Sequence, residues 1–211
     1  MNKQEIEDWL RQTWQLVLEL KISIKNAKTI SEYDIHLHSM VTKHGFFQHH
    51  FKQLHFITAI QLCKLLSDKS NQKINLAKFL RRLSSESYDQ DLTALLNTNR
   101  EKNINSLFSS KNDIVDFASE INKKLNDHQP LIERVEKMRD KMYAHKDPNN
   151  IPQTVSFKEL EELVEFVTKL QDDLEYKFFN VRNAFDQLAP WDIEQIIKDL
   201  TEFKQIKKQR W

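Results

Sequence analysis

Arg139 and His145 stand six residues apart in the run Arg139-Asp-Lys-Met-Tyr-Ala-His145-Lys-Asp-Pro. A guanidinium presents a planar fork of donors to an anion. An imidazole takes or gives a proton near neutral pH. The run continues a helical pattern whose apolar stripe reads Leu131, Val135, Met138, Met142, at steps of four, three and four. The next place on that stripe is His145, so a titratable group occupies a core-facing position in a last helical turn. At about 100° per residue, Arg139 and His145 lie about 60° to either side of Met142, and both border one inward face. Helical rise separates them by roughly 9 Å, too far for a direct pair on one ideal helix. A two-fold partner, or unwinding at the helix end, brings such groups together. The same residues also admit a structural reading. His145 then caps the last turn, where the negative helix end favours imidazolium. Arg139 then pairs with Glu136, Asp140 or a neighbouring helix.

A second group, Asp34, His36, His38, His44, His49, His50 and His55, is dense enough to raise the question of a metal. Its spacing answers against one. No two of these histidines are four apart, the step that puts two imidazoles on one helical face, and H-E-x-x-H is absent. They read as surface and inter-helix residues, with no metal expected. Cys63, the only cysteine, sits in the apolar stretch Ile60-Gln-Leu-Cys-Lys-Leu-Leu66, so it reads as a small core residue. A nucleophilic role would need an exposed, electropositive setting.

These residues must be positioned by helices. The chain of 211 residues has one Gly and four Pro. Gly-rich phosphate loops are therefore excluded, and a barrel or sandwich of tight hairpins is disfavoured, since its turns need φ > 0. Apolar periodicity predicts an amphipathic helix over 3–27 and a shorter, more polar one over 31–44. Gly45 then breaks the chain before a helix over 46–67 that is apolar nearly all round, hence expected at the bundle centre. Residues 67–72 read as a loop and 75–84 as a helix. Residues 85–111 are irregular, read as short helices or a mobile excursion. Periodicity resumes at Asp113. A separate helix is expected to open at Pro130, where a missing N–H costs little, and to end near Lys146, because Pro148 disfavours the α conformation at Asp147. After a loop over 147–152, Ser156 and Glu159 form a capping box for a long helix through Phe178. Pro190 starts a last helix that ends in a basic tail.

Lys and Arg number 32 against 31 Asp and Glu, so net charge requires no polyanionic partner. The charge is uneven: 64–82 and 198–211 are basic, 157–176 acidic. No run of 18 apolar residues is present and the N-terminus has no signal-peptide core, so a cytoplasmic protein with no membrane span is expected.

The Arg139–His145 run resembles the signature of the HEPN superfamily: an arginine, four to six residues, then a histidine, near the end of a bundle helix, with a polar residue after the arginine. Asp140 fills that polar place. The longer context, with Leu-Cys-Lys-Leu-Leu-Ser-Asp-Lys-Ser-Asn-Gln-Lys-Ile-Asn-Leu-Ala-Lys-Phe-Leu at 62–80, is similar to the AbiU-type phage abortive-infection branch. The likeness covers roughly residues 30–180; the N-terminal helix and the basic tail add little to it. It implies an all-α, HEPN-like helical bundle with an additional N-terminal helix and an irregular helical insertion around 85–111, a single domain over 1–211. It further implies a homodimer in which two Arg–His motifs meet, and RNA cleavage needing no metal or other cofactor. Arg139 and His145 would be the catalytic residues. Asp140 would orient one of them, and Lys141 and Lys146 would hold flanking phosphates. Tyr143, one turn after Arg139, would bond a phosphate or pack. RNA and a neutralising partner protein are the expected partners. The alternative is a non-catalytic interaction or RNA-binding module of a defence or toxin–antitoxin system. Geometry discriminates: the enzyme needs Arg139 and His145 to line an open cleft.

Overall fold

The computed structural model describes residues 1–32, 39–67, 73–102, 104, 106–143, 155–187 and 193–209. Among these residues every regular element is an α-helix. In chain order they are α1 (Lys3–Glu32), α2 (Ser39–Thr42), α3 (Gly45–Leu66), α4 (Leu76–Ser85), α5 (Gln90–Glu101), α6 (Lys111–Tyr143), α7 (Phe157–Phe179) and α8 (Glu194–Gln209).

Polar residues set many of the starts. Asn2 and Glu5 exchange side-chain and backbone bonds of 2.7 and 2.8 Å at the head of α1. His44 caps α3, Asn75 caps α4 and Asp89 caps α5, each accepting from a backbone N–H one turn in. The capping box of Ser156 and Glu159 opens α7. α7 closes on Asn180, left-handed at φ 59°; asparagine is among the few non-glycine residues that take this conformation readily.

α3 packs against α1, α6 and α7, and α4 lies on α6. The main core draws on α1, α3, α4, α5, α6 and α7, and Trp9 stacks flat on Phe79 within it at 3.8 Å. A smaller apolar cluster joins Ala27, Ile30, Val41, Phe47, Leu54 and Ile197. That cluster explains why α1 runs past residue 27: Ala27 and Ile30 continue its stripe into buried contacts. The helix expected over 31–44 is thus divided. Its first residues belong to α1, 39–42 form α2, and 33–38 lie outside the described residues. α3 is central but not buried all round, since Phe46 and Ile57 are exposed. α8 seats Ile197 and Thr201 and leaves Ile196, Leu200, Phe203 and Ile206 exposed.

The helical insertion expected around 85–111 is found, while the helix break expected at Pro130 is not. Within 85–111 stands a three-turn helix, α5, with Leu92 and Leu96 buried. Its Asn99, itself buried, donates to the carbonyls of Phe108 and Phe178 at 3.2 and 3.1 Å. The break expected at Pro130 is absent, and α6 is one helix of 33 residues with Pro130 inside it. The buried residues Ile121, Leu125, Ile132 and Val135 stay in helical phase across the proline, which sits on the exposed side. Core burial on one face outweighs one missing hydrogen bond on the other, where carbonyls can tilt to water.

Candidate functional site

The C-terminal half of α6 carries the candidate residues. Leu131, Ile132, Val135 and Met138 are buried, which seats this stretch against the core. Ile132, Glu136 and Arg139 follow one another at steps of four and three, so they share one side of α6. Glu136 is 4% exposed, a buried carboxylate. The Arg139 side chain, 26% exposed, stands at the rim of the core.

Asp140 holds the guanidinium. One carboxylate oxygen, Oδ1, accepts from Arg139 Nε at 2.9 Å and from Nη2 at 2.6 Å. Partial burial works against the arginine's charge; the Asp140 bonds, reinforced by Glu136, more than offset it and raise the Arg139 pKa above its ordinary value. The head group is therefore a permanent cation with a fixed orientation. Asp140 is exposed, so the pair faces solvent on that side.

On the inner side Arg139 meets α3 at Cys63. The thiol is buried, and burial pushes its pKa up to about 12; Arg139 pulls the other way, while Glu136 and Asp140 add to the rise. Cys63 is a neutral thiol at physiological pH and no nucleophile. Of the two residues near Arg139, Glu136 was legible in the sequence as a pairing candidate and Cys63 was not. For Glu136 there was a signal, the shared four-and-three step with Arg139. For Cys63 there was none, because it depends on how α3 and α6 register against each other.

Lys141 is half-buried in the last turn of α6. Met142 and Tyr143 close α6 in backbone only, and their side chains lie outside the described residues, as do His145 and Lys146 entirely. The loop expected over 147–152 falls in the same span.

The histidine-rich segment is dispersed. His44 spends its ring nitrogen on the N-cap of α3, at 3.3 Å from Phe46 N. His50 stacks on Phe46. His55 Nε2 lies 2.6 Å from the Val155 carbonyl oxygen, and its ring meets Phe157 edge-on. Asp34, His36 and His38 are outside the described residues. Among those described, no three His, Cys, Asp or Glu side chains converge as metal ligands would. No described helix is long and apolar enough to cross a membrane.

The described elements are all α-helices, and an arginine stands at the C-terminal end of one of them at the head of an Arg-x5-His run, an arrangement that resembles the HEPN type of helical bundle. Within that class the chain belongs to the AbiU2 family, whose model matches residues 3–196. The match takes in the whole of α1 and stops at the third residue of α8. The N-terminal helix is thus part of the family's pattern, where the resemblance over roughly 30–180 gave it little weight. Comparison with the curated proteins and with the solved structures gives no match.

Proposed function

We propose that this chain is an abortive-infection effector that cuts RNA in the cytoplasm without a metal, through Arg139 and His145 of two copies. One neutral imidazole takes the proton from a ribose 2′-OH, whose oxygen attacks the adjacent phosphorus. The protonated imidazole of the second copy gives its proton to the leaving 5′-oxygen. Arg139 stabilises the charge that gathers on the phosphorane oxygens. The products are a 2′,3′-cyclic phosphate and a 5′-hydroxyl. Lys141 and Lys146 hold neighbouring phosphates, and Tyr143, one turn after Arg139 in the sequence, bonds a phosphate or packs.

The observation that carries this reading is the state of Arg139. Its guanidinium is charged, oriented by Asp140 and open to solvent at the rim of the bundle. A preset donor fork of this kind costs little reorganisation when charge develops on a phosphate. The direct test is RNA cleavage by the purified protein in excess EDTA, with end analysis. Cyclic phosphate ends, lost with His145→Ala, support the reading. Activity that EDTA abolishes and Mn²⁺ restores would refute it. Light scattering tests the shared site: a strict monomer at about tens of micromolar, a fair ceiling for a specific interface, counts against it.

A second reading has one observation on its side. Asp140 and Glu136 already match the charge of Arg139, as they would in a structural arginine. On that reading the chain is a non-catalytic RNA-binding or interaction module, and RNA would bind without turnover.

A further inference from the structure

Glu175 on α7 is held, among the described residues, by two amides and no cation. Gln171 Nε2 donates to Glu175 Oε1 at 2.9 Å, and Asn183 Nδ2 donates to Oε2. Each amide is anchored in turn. Gln171 is buried; Thr13 Oγ1 donates to its Oε1 at 2.6 Å, and its Nε2 also donates to the Leu10 carbonyl at 2.9 Å. Asn183 is aimed by Trp14, whose Nε1 donates to its Oδ1 at 2.8 Å, and its backbone N–H is bonded to Asp172. The network runs from the core between α1 and α7 out to the surface. It fixes a carboxylate and an indole beside one another.

Both line a cavity of about 370 Å³, with Leu10, Phe179 and Val181 as apolar wall. Arg11 and Glu7 stand there too, but each has a partner: Arg11 donates to Asp8 at 2.6 Å, and Glu7 lies 3.5 Å from Lys3. Among the described residues, no Lys, Arg or His lies within ion-pair distance of Glu175.

We propose that this cavity binds a small aliphatic organic cation: an alkylammonium or guanidinium on a short carbon chain. A carboxylate fixed by neutral donors supplies the opposite charge, while Arg11 on the same wall is held on Asp8. The exposed face of Trp14 and the ring of Phe179 attract a cation through their π-electrons and cover its methylenes. The volume lies in the range of ligand pockets and suits a chain of four or five carbons. The site is separate from Arg139, so it stands whether or not the chain cleaves RNA.

The test is calorimetric titration of the full-length protein with agmatine at low salt, beside a neutral analogue of similar length, butylurea. Agmatine binds saturably, and Glu175→Gln weakens it at least about tenfold, as loss of a charge-assisted bond does. Glu175→Gln keeps the side-chain volume but sets an NH2 against the donating amide of Gln171 or Asn183, so its melting curve is measured beside the titration, and a loss of binding by a variant still folded at the titration temperature reads as a loss of charge. Trp14→Leu gives a second, independent weakening. The proposal would be overturned by no saturable binding of agmatine, by equal binding by Glu175→Gln, or by equal binding of butylurea. Binding of a capped arginine peptide in place of agmatine would overturn it in favour of a protein partner.

Discussion

Adjacent residues on α6 allow chemistry to be separated from folding. Met138 is 3% exposed and packs into the core. Truncation to Ala removes most of a buried side chain and leaves a cavity, and should cost about 2–5 kcal/mol of unfolding free energy. Arg139, one residue on, is 26% exposed and pairs with an Asp140 that is 62% exposed. Such surface pairs are worth about 0–1 kcal/mol. Arg139→Lys keeps the alkyl stem and the charge, so Glu136 keeps its cationic neighbour and no buried carboxylate is stranded. Its stability cost should stay below about 1 kcal/mol. What lysine loses is the planar fork. If that fork serves the transition state, the rate of RNA cleavage should fall by about 10²–10³. His145→Ala should cost about 10²–10⁴.

Urea unfolding with equal slopes for parent and variants gives the stability differences. Single-turnover cleavage of one RNA gives the rates. The expected pattern is crossed: Met138→Ala is unstable but active at low temperature, and Arg139→Lys is stable but slow. Arg139→Lys cleaving at the parental rate, or losing as much stability as Met138→Ala, would make Arg139 a structural residue. The proposed ribonuclease would then lose its anchor.

Other perturbations probe the scaffold. Backbone and hydroxyl bonds from Ser156, joined by Arg134, hold Glu159 at about 2, below its ordinary 4.5. Its contribution is therefore complete above pH 4.5 and lost as pH falls toward 2. Glu159→Gln should lower the melting temperature at neutral pH and converge with the parent near pH 2, read by melts across that window. Cys63, buried and with its thiol pushed up to about 12, should resist a disulfide reagent at pH 8 in the native protein and react fully once unfolded. Fast native labelling would disprove that placement. Pro130→Ala should stabilise the protein by about 1–2 kcal/mol, because an interior helical proline costs about 3 relative to Ala while a freer unfolded chain returns up to about 1. A loss in urea unfolding would instead mean that a bend at Pro130 is needed to seat Ile132 and Val135.

Where burial periodicity and capping agree, the helices were legible: α3, α4 and α7 begin within a residue of where Gly45, Asn75 and the Ser156–Glu159 pair place them. The misreadings have a common cause, which is that local signals were given weight that distant contacts override. Pro130 reads locally as a helix start, but buried residues in phase on both sides, Ile121 and Leu125 before it and Ile132 and Val135 after it, keep α6 whole. The polar run around α5 reads either as short helices or as an excursion, and the choice is made by contacts such as that of Asn99 with Phe178, 79 residues away. The candidate site was legible as a run of types and spacings around Arg139. Its inner wall at Cys63 and the Thr13–Gln171–Glu175 network were not, since each joins helices far apart in the chain.

The placement of Arg139 follows from that packing. Met138 on its N-terminal side is locked in the core, and Cys63, a small residue on α3, faces the guanidinium from within. A larger side chain there would press on the guanidinium; an ionised one would draw it inward. The neutral, compact thiol does neither, and Asp140 then turns the fork toward solvent. The arginine that the proposed chemistry needs is thus oriented by an exposed carboxylate and backed by the core. Its charge persists at every pH the protein meets, so on the proposed chemistry the pH dependence of RNA cleavage comes from His145. A single imidazole per chain acting as both base and acid would have to change state between steps. Two copies, each supplying one imidazole, meet the requirement with one neutral and one protonated, and predict a rate that rises and then falls across the imidazole range.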